Sequence, residues 1–398
     1  MLGVGIALGL GACSDSKSGH GKDGGDGEDG GNAKRDGAIG DAAADGSDLQ
    51  TLVNGLPSCG NSELTATPRD ANVLLVIDES GSMTDQPSGF DTNKWDALKG
   101  ALESAVAAVE DDVAFGLELF PHSASSTPIP LACTDNCCEM PAAPGIMVQA
   151  AKGAASAIKK ELEGTSPAGG TPTALALSRA YEYFTSGAGK SLKGDKYVLL
   201  ATDGGPNCND KLTCSAKTCT TNLDGDCSIS GGNCCDPMFG GSIAKARCLD
   251  DDATLAAIQK LAAAKIDTFV VGIPGSETYA DQLDAFADAG GRAAASGTHK
   301  YYAVSASGGA KELTSTLELI TKNVITSCDL QLASTPPNPN ELNVYVDNKL
   351  VKQAGADGWK LDTKEMPPSI VLQGATCERV QSMGAKSVRV VYGCPTVQ

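Results

Sequence analysis

Apolar residues fall into two rhythms along this chain, and the rhythms alternate. Val73-Leu74-Leu75-Val76-Ile77, Tyr197-Val198-Leu199-Leu200-Ala201 and Thr268-Phe269-Val270-Val271-Gly272-Ile273 are short, nearly continuous apolar runs. Such runs predict strands buried on both faces of a parallel sheet. Val113–Phe120 alternates and predicts a further strand, and Tyr301–Val304 a short one. Between them the period lengthens. Residues 94 to 110 carry Trp95, Leu98, Leu102 and Val106 on one helical face. Helices are likewise expected over 147–163, 174–184, 252–264, 279–289 (stopped by Gly290-Gly291) and 311–325. Strands alternating with helices predict an α/β fold with a doubly wound, mostly parallel sheet flanked by helices.

The first strand runs into Asp78-Glu79-Ser80-Gly81-Ser82. A parallel strand delivers the residues after it to the carboxyl edge of the sheet, where ligands bind. A carboxylate and two hydroxyls at every second residue of an extended loop point the same way. Oxygen-only donors with few charges suit a hard divalent cation, above all Mg²⁺. Two further segments end in oxygen donors. Gly169-Gly170-Thr171-Pro172-Thr173 is a tight loop opening a helix, and the strand at Tyr197 ends in Thr202-Asp203-Gly204.

The order and context of these segments resemble the von Willebrand factor type A (vWA) domain, over about residues 68 to 328. In that family Asp-x-Ser-x-Ser, a loop threonine and a strand-end aspartate form the metal-ion-dependent adhesion site. All five positions are filled here, by Asp78, Ser80, Ser82, Thr171 and Asp203. The resemblance implies that Ser80, Ser82 and Thr171 hold Mg²⁺ or Mn²⁺ directly. It implies that Asp78 and Asp203 act directly or through water, and that an Asp or Glu of a protein partner completes the coordination.

The ends of the chain differ from this core. Residues 1–13 form an apolar stretch too short to span a bilayer, and Leu10-Gly11-Ala12-Cys13 resembles the lipobox of a bacterial lipoprotein signal. That resemblance implies a lipid on Cys13. Ser14 is compatible with sorting to the outer membrane, facing either the periplasm or the outside. No Lys or Arg precedes the apolar run, a departure from the usual signal. Residues 14–50 are Gly, Ser, Asp, Ala and Lys with almost no large apolar side chain, the composition of a disordered tether. The tether carries −5 and residues 329–398 carry zero, so −13 of the net −18 falls in residues 51–328. Such a surface disfavours nucleic acid and anionic membrane.

There are 15 cysteines, and setting Cys13 aside leaves an even number, as in an exported disulfide-bonded protein. Cys59 and Cys328 flank the vWA-like segment (59–328). Because the ends of that family's domain lie close together, a Cys59–Cys328 clasp is expected, with Cys377 and Cys394 pairing in the C-terminal segment. Three cysteines, Cys133, Cys137 and Cys138, then lie in one loop, and seven in an insert over 206–249. Both counts are odd, so at least one bridge is expected between loop and insert. A zinc cluster is the weaker reading of these cysteines, since no histidine lies among them. Asn222-Leu223-Asp224-Gly225-Asp226 starts like a calcium loop but has Cys227 and Asn233 at the sixth and twelfth positions, so a turn is expected. Residues 329–398 predict a small β-rich module. It has a hairpin at Asp347-Asn348, strands at Ser369–Leu372 and Ser387–Tyr392, a helical turn or two at Cys377–Met383, and Trp359 as core anchor.

Enzyme chemistry is poorly supported. His20, His122 and His299 are the only histidines, none in a nucleophile motif, and no phosphate loop or His-Glu-x-x-His occurs. Glu79, by alternation, points away from the three donors. The sequence therefore reads as a lipid-anchored binding protein of the bacterial cell envelope that engages a protein partner through its metal. Two rivals stand beside this: a scaffold in which metal only stiffens loops while the insert or C-terminal module binds, and a cell-envelope hydrolase.

Overall fold

The computed structural model describes residues 62–398 apart from 65, 69, 122–137, 141–144, 326, 327, 365 and 384–387. The signal-like segment with Cys13, the tether, Cys59, Cys133, Cys137, His20 and His122 lie outside the described residues. All described residues fall in one compact unit, Asp48–Gln398.

Two short strands, β1 (Ser62–Leu64) and β2 (Ala66–Pro68), lead into β3 (Ala71–Asp78), which is buried at every position. Next come α1 (Lys94–Ala107), β4 (Val113–Phe120), β5 (Val148–Ala151), α2 (Ala155–Glu163), α3 (Thr173–Thr185) and β6 (Asp195–Thr202). After the insert, with its one-turn helices α4 (Thr220–Leu223) and α5 (Pro237–Gly240), the chain forms α6 (Asp251–Ala263), β7 (Ile266–Gly272), α7 (Ala280–Ala289), β8 (Tyr302–Ala303) and α8 (Gly309–Ile325). The six-stranded sheet has the order β5-β4-β3-β6-β7-β8, parallel except for β5.

The continuous apolar runs are explained by the two layers. Val73, Leu75 and Ile77 of β3 face a core shared with α1, α2 and α8, and Leu74 and Val76 face one shared with α3, α6 and α7. A strand covered on both sides has no polar face to show. The expected helix over 147–163 is shorter in the structure. Val148–Ala151 instead pairs antiparallel with the free edge of β4, and Gly153 at φ +72° separates this strand from α2. Gly116 of β4 permits the approach, since a Cβ there would stand 2.9 Å from the Val148 carbonyl oxygen.

The C-terminal strands β9 (Asp329–Leu332), β10 (Leu342–Val346), β11 (Lys349–Val351), β12 (Trp359–Asp362), β13 (Ser369–Leu372) and β14 (Val388–Tyr392), with helix α9 (Gly374–Met383), do not form their module alone. Its two antiparallel sheets run β1-β14-β10-β11 and β12-β13-β9-β2, so each takes one strand from the segment before the α/β core. The expected boundary at residue 329 therefore splits a unit that the chain enters, leaves and re-enters. β1 and β2 are three residues each and have too little period to be read from sequence. Trp359 is fully buried in this module and donates from Nε1 to the Val351 carbonyl. Asp347 and Asn348 both have positive φ, as a two-residue hairpin turn requires.

The expected cysteine pairing is corrected. Cys328 is bonded to Cys377, tying the end of the α/β core to α9, and not to Cys59; Cys394, itself disulfide-bonded, is not the partner of Cys377. The family-based expectation placed the clasp across the core's own ends. The sandwich reuses the segment at those ends, and this brings Cys328 beside α9 instead.

Glu118 sits in β4 opposite Val76, fully buried, and neither carboxyl oxygen has a hydrogen-bond partner among the described residues. Burial pushes its pKa well above the usual carboxylate range, against the opposing pull of Arg179. An acid raised on folding loses stability as pH climbs above its unfolded value. Glu118→Met should therefore stabilise the protein at pH 8, by about 1–3 kcal/mol, the cost of an unsatisfied buried group. The gain should shrink at pH 4, where the acid is protonated in the folded state and mostly so in the unfolded one. Thermal unfolding at the two pH values checks this, and no gain at pH 8 would refute it.

Candidate metal centre

β3 and β6 lie side by side, with Ile77 opposite Ala201, so their next residues emerge together at the carboxyl edge. The chain leaves β3 through α1 toward β4 on one side and returns through α3 to β6 on the other. Such a reversal of direction opens a crevice between the outgoing loops.

Asp78 is fully buried there. Its Oδ1 accepts from the Ser80 backbone N–H at 2.8 Å and its Oδ2 from the Thr202 hydroxyl at 2.6 Å. Ser80 Oγ lies 3.1 Å from Ser82 Oγ, and the Ser82 hydroxyl donates to Asp203 Oδ1 at 2.9 Å. Lys94 Nζ donates to the other oxygen, Asp203 Oδ2, at 2.7 Å. The network runs from the buried Asp78 and Asp203 out to Ser82, which is exposed.

Thr171, also buried, stands on a third loop that is tied to both others. The Gly81 N–H donates to the Gly169 carbonyl and the Ala168 N–H to that of Glu79. The Thr171 N–H donates to Asn207 Oδ1 at 2.7 Å, and its carbonyl accepts from the Asn207 N–H at 2.9 Å. Gly170 allows this contact, because a Cβ there would stand 2.7 Å from Cys208 Sγ. Asp78, Ser80, Ser82 and Asp203 thus form one hydrogen-bonded cluster, and Thr171 is held at its side by backbone ties.

The donor set fits a hard divalent cation. It is all oxygen, and every carboxylate oxygen keeps a lone pair beyond its present partner. Burial, then the charge of Asp203, push the Asp78 carboxyl up to about 7. Burial also raises Asp203, against the pull of Lys94. Both shifts report that two ionised carboxylates here would be more negative charge than one ammonium offsets.

Lys94, Thr202 and Asn207 were not singled out from the sequence. Only Lys94 carried a signal, as a lysine at the start of a helix where the dipole disfavours a cation. Gly275, at φ +113°, crosses close over it.

The insert is a disulfide knot. Cys214–Cys248, Cys219–Cys235 and Cys227–Cys234 pack on one another, and Cys138–Cys208 supplies the expected bridge to the preceding loop. Every described cysteine of the insert is thus oxidised, so zinc has no thiolate there. Asn222 is spent on the knot, donating to the Gly232 carbonyl and accepting from the Cys234 N–H, which agrees with a turn and not a calcium loop. Asp224 turns its carboxyl onto the Tyr279 hydroxyl at 2.7 Å, and desolvation pushes it up to about 6 although the residue keeps exposed surface.

No family model matches the chain, and no curated protein matches it. Solved structures similar to it include the pilus adhesin SpaC from Lactobacillus rhamnosus GG, with TM-score 0.41, 15% identity, and cover of 82% of this chain and 39% of that one. The manganese-loaded TRAP protein of Plasmodium vivax is similar with TM-score 0.38, 14% identity and cover of 64% and 76%. The vWF domain of the type V pili tip protein Mfa5 from Porphyromonas gingivalis has TM-score 0.37, 14% identity and cover of 65% and 96%. The chain spans well under half the length of the SpaC chain. Its own strand order and helical layers establish the α/β fold.

Asn207→Ala should leave the Thr171 N–H unpaired and cost about 1–3 kcal/mol. Asn207→Asp, which keeps an acceptor, should recover most of this. Unfolding midpoints of the two variants in chelator check the expectation, and equal midpoints would refute it.

Proposed function

We propose that this protein is an exported, non-enzymatic binding protein of the cell envelope, anchored by a lipid on Cys13, whose activity is metal-dependent adhesion to a protein partner. The observation that carries this is the hydrogen-bonded cluster of Asp78, Ser80, Ser82 and Asp203 at the carboxyl edge of β3 and β6. Ser80, Ser82, Thr171 and the two aspartates would hold Mg²⁺ or Mn²⁺, and the ion supplies an electrophilic position for a partner's Asp or Glu. Two acids, Lys94 and a divalent ion sum to a net positive centre. That local sign answers the −13 carried by residues 51–328, which would otherwise repel an anionic group.

His299 is engaged by Asp284 at 3.2 Å and stacks on Tyr301, which supports a structural place for it. A second reading has its own observation. The insert exposes Met238 (83%) and Phe239 (56%) side by side, an apolar contact surface that needs no metal.

Thermal unfolding of the oxidised chain with Mn²⁺, Mg²⁺ or chelator tests the centre. An ion at a hundred times its dissociation constant should add about 2.7 kcal/mol. Asp78→Ala should abolish that shift, and Thr171→Ala should weaken the ion by about tenfold or more, the scale seen when a group supporting a metal is lost. Capture from envelope extract then separates the readings. A partner lost with chelator and with Thr171→Ala supports metal-bridged adhesion. A partner retained in both but lost with Met238→Ser/Phe239→Ser supports the insert.

A further inference from the structure

Lys94 is placed where physical chemistry disfavours it. It opens α1, whose N-terminal dipole repels a cation, and its side chain is only 8% exposed. A buried ammonium persists only if it is paired. The pair is Asp203, whose side chain is fully buried, at 2.7 Å; Asp85 at 3.9 Å is exposed and screened by water. Gly275 closes the third side, since a Cβ there would stand 3.0 Å from Lys94 Nζ and 2.9 Å from the Asp203 carbonyl oxygen. The ammonium is therefore fixed against the carboxylate.

This arrangement has two electrostatic consequences. Without a metal, Lys94 offsets one of two adjacent buried charges, which would otherwise destabilise the fold. With a metal, the same ammonium would repel the ion and compete with it for one oxygen of Asp203. The other oxygen accepts from the Ser82 hydroxyl and keeps a lone pair for the ion.

Resting on the metal-site reading above, we propose that Lys94 is a built-in countercharge that stabilises the metal-free protein and, by competing for Asp203, holds metal affinity down. The ion is then bound weakly by the protein alone, and the partner's carboxylate supplies the remaining negative charge.

The test uses the oxidised full chain, with Lys94→Gln and Lys94→Arg, and Mn²⁺ alone as probe. In chelator, Lys94→Gln should unfold at a lower temperature than the wild type, and Lys94→Arg near it. Mn²⁺ should then raise the midpoint of Lys94→Gln more than that of the wild type. By calorimetry its dissociation constant should be about tenfold lower, the sign set by removing a like charge. Lys94→Arg keeps the charge and should bind Mn²⁺ as the wild type does.

Equal or weaker Mn²⁺ binding by Lys94→Gln would overturn the inference and leave Lys94 as a residue that merely positions Asp203. Should Lys94→Gln not fold in chelator, recovery of folded protein on refolding with Mn²⁺ supports the proposal. No recovery, while Lys94→Arg folds, overturns it. No Mn²⁺ shift in the wild type or either variant overturns the metal-site reading itself, a different result from the failure of Lys94's role.

Discussion

Two carboxylates buried at the ends of adjacent parallel strands are the constraint on which the rest of this structure turns. Each ion taken from water costs several kcal/mol unless partners replace the lost hydration. Asp78 is met by a backbone N–H and the Thr202 hydroxyl, and Asp203 by the Ser82 hydroxyl and the Lys94 ammonium. These partners come from the loop after β3, the end of β6 and the start of α1. Holding the acids therefore fixes three elements relative to one another. Thr171 joins through Asn207, and Cys138–Cys208 ties the residue after Asn207 to the loop between β4 and β5. Burial raises both acids at the carboxyl edge, the pattern of a candidate site.

The two stapled parts of the chain answer separate problems. The segment after Asp203 is too long and too polar to build a core of its own, and its buried centre is made of cysteine sulfur. The disulfides replace an apolar core and keep a long loop rigid beside the carboxyl edge. The β-sandwich solves a different problem. Its strands come from both ends of the α/β core, so the entry and exit of that core are paired into the same two sheets. Cys328–Cys377 adds a covalent tie between the end of that core and α9.

Much of the α/β fold was legible because both of its signals are local. Val73–Ile77 and Tyr197–Ala201 are continuously apolar since both faces are covered, and the helices between them keep their period. The donors Asp78, Ser80, Ser82 and Asp203 could be named because each ends or follows a strand that fixes where it emerges. The hairpin at Asp347-Asn348 was readable for the same reason, as its turn residues tolerate positive φ.

The sequence by itself determined which segments keep a strand or helix period and which oxygen donors end the strands, because these depend on neighbours one to four residues away. Tertiary structure decided the rest. Val148–Ala151 became a strand because β4 had a free edge, and Ser62–Leu64 and Ala66–Pro68 because the sandwich needed partners. Cys328 paired with Cys377 because that sandwich brought α9 beside it. Lys94 met Asp203 because α1 begins where β6 ends, 109 residues apart in the chain. Contacts of that separation are set by packing and charge in three dimensions, and no local pattern encodes them.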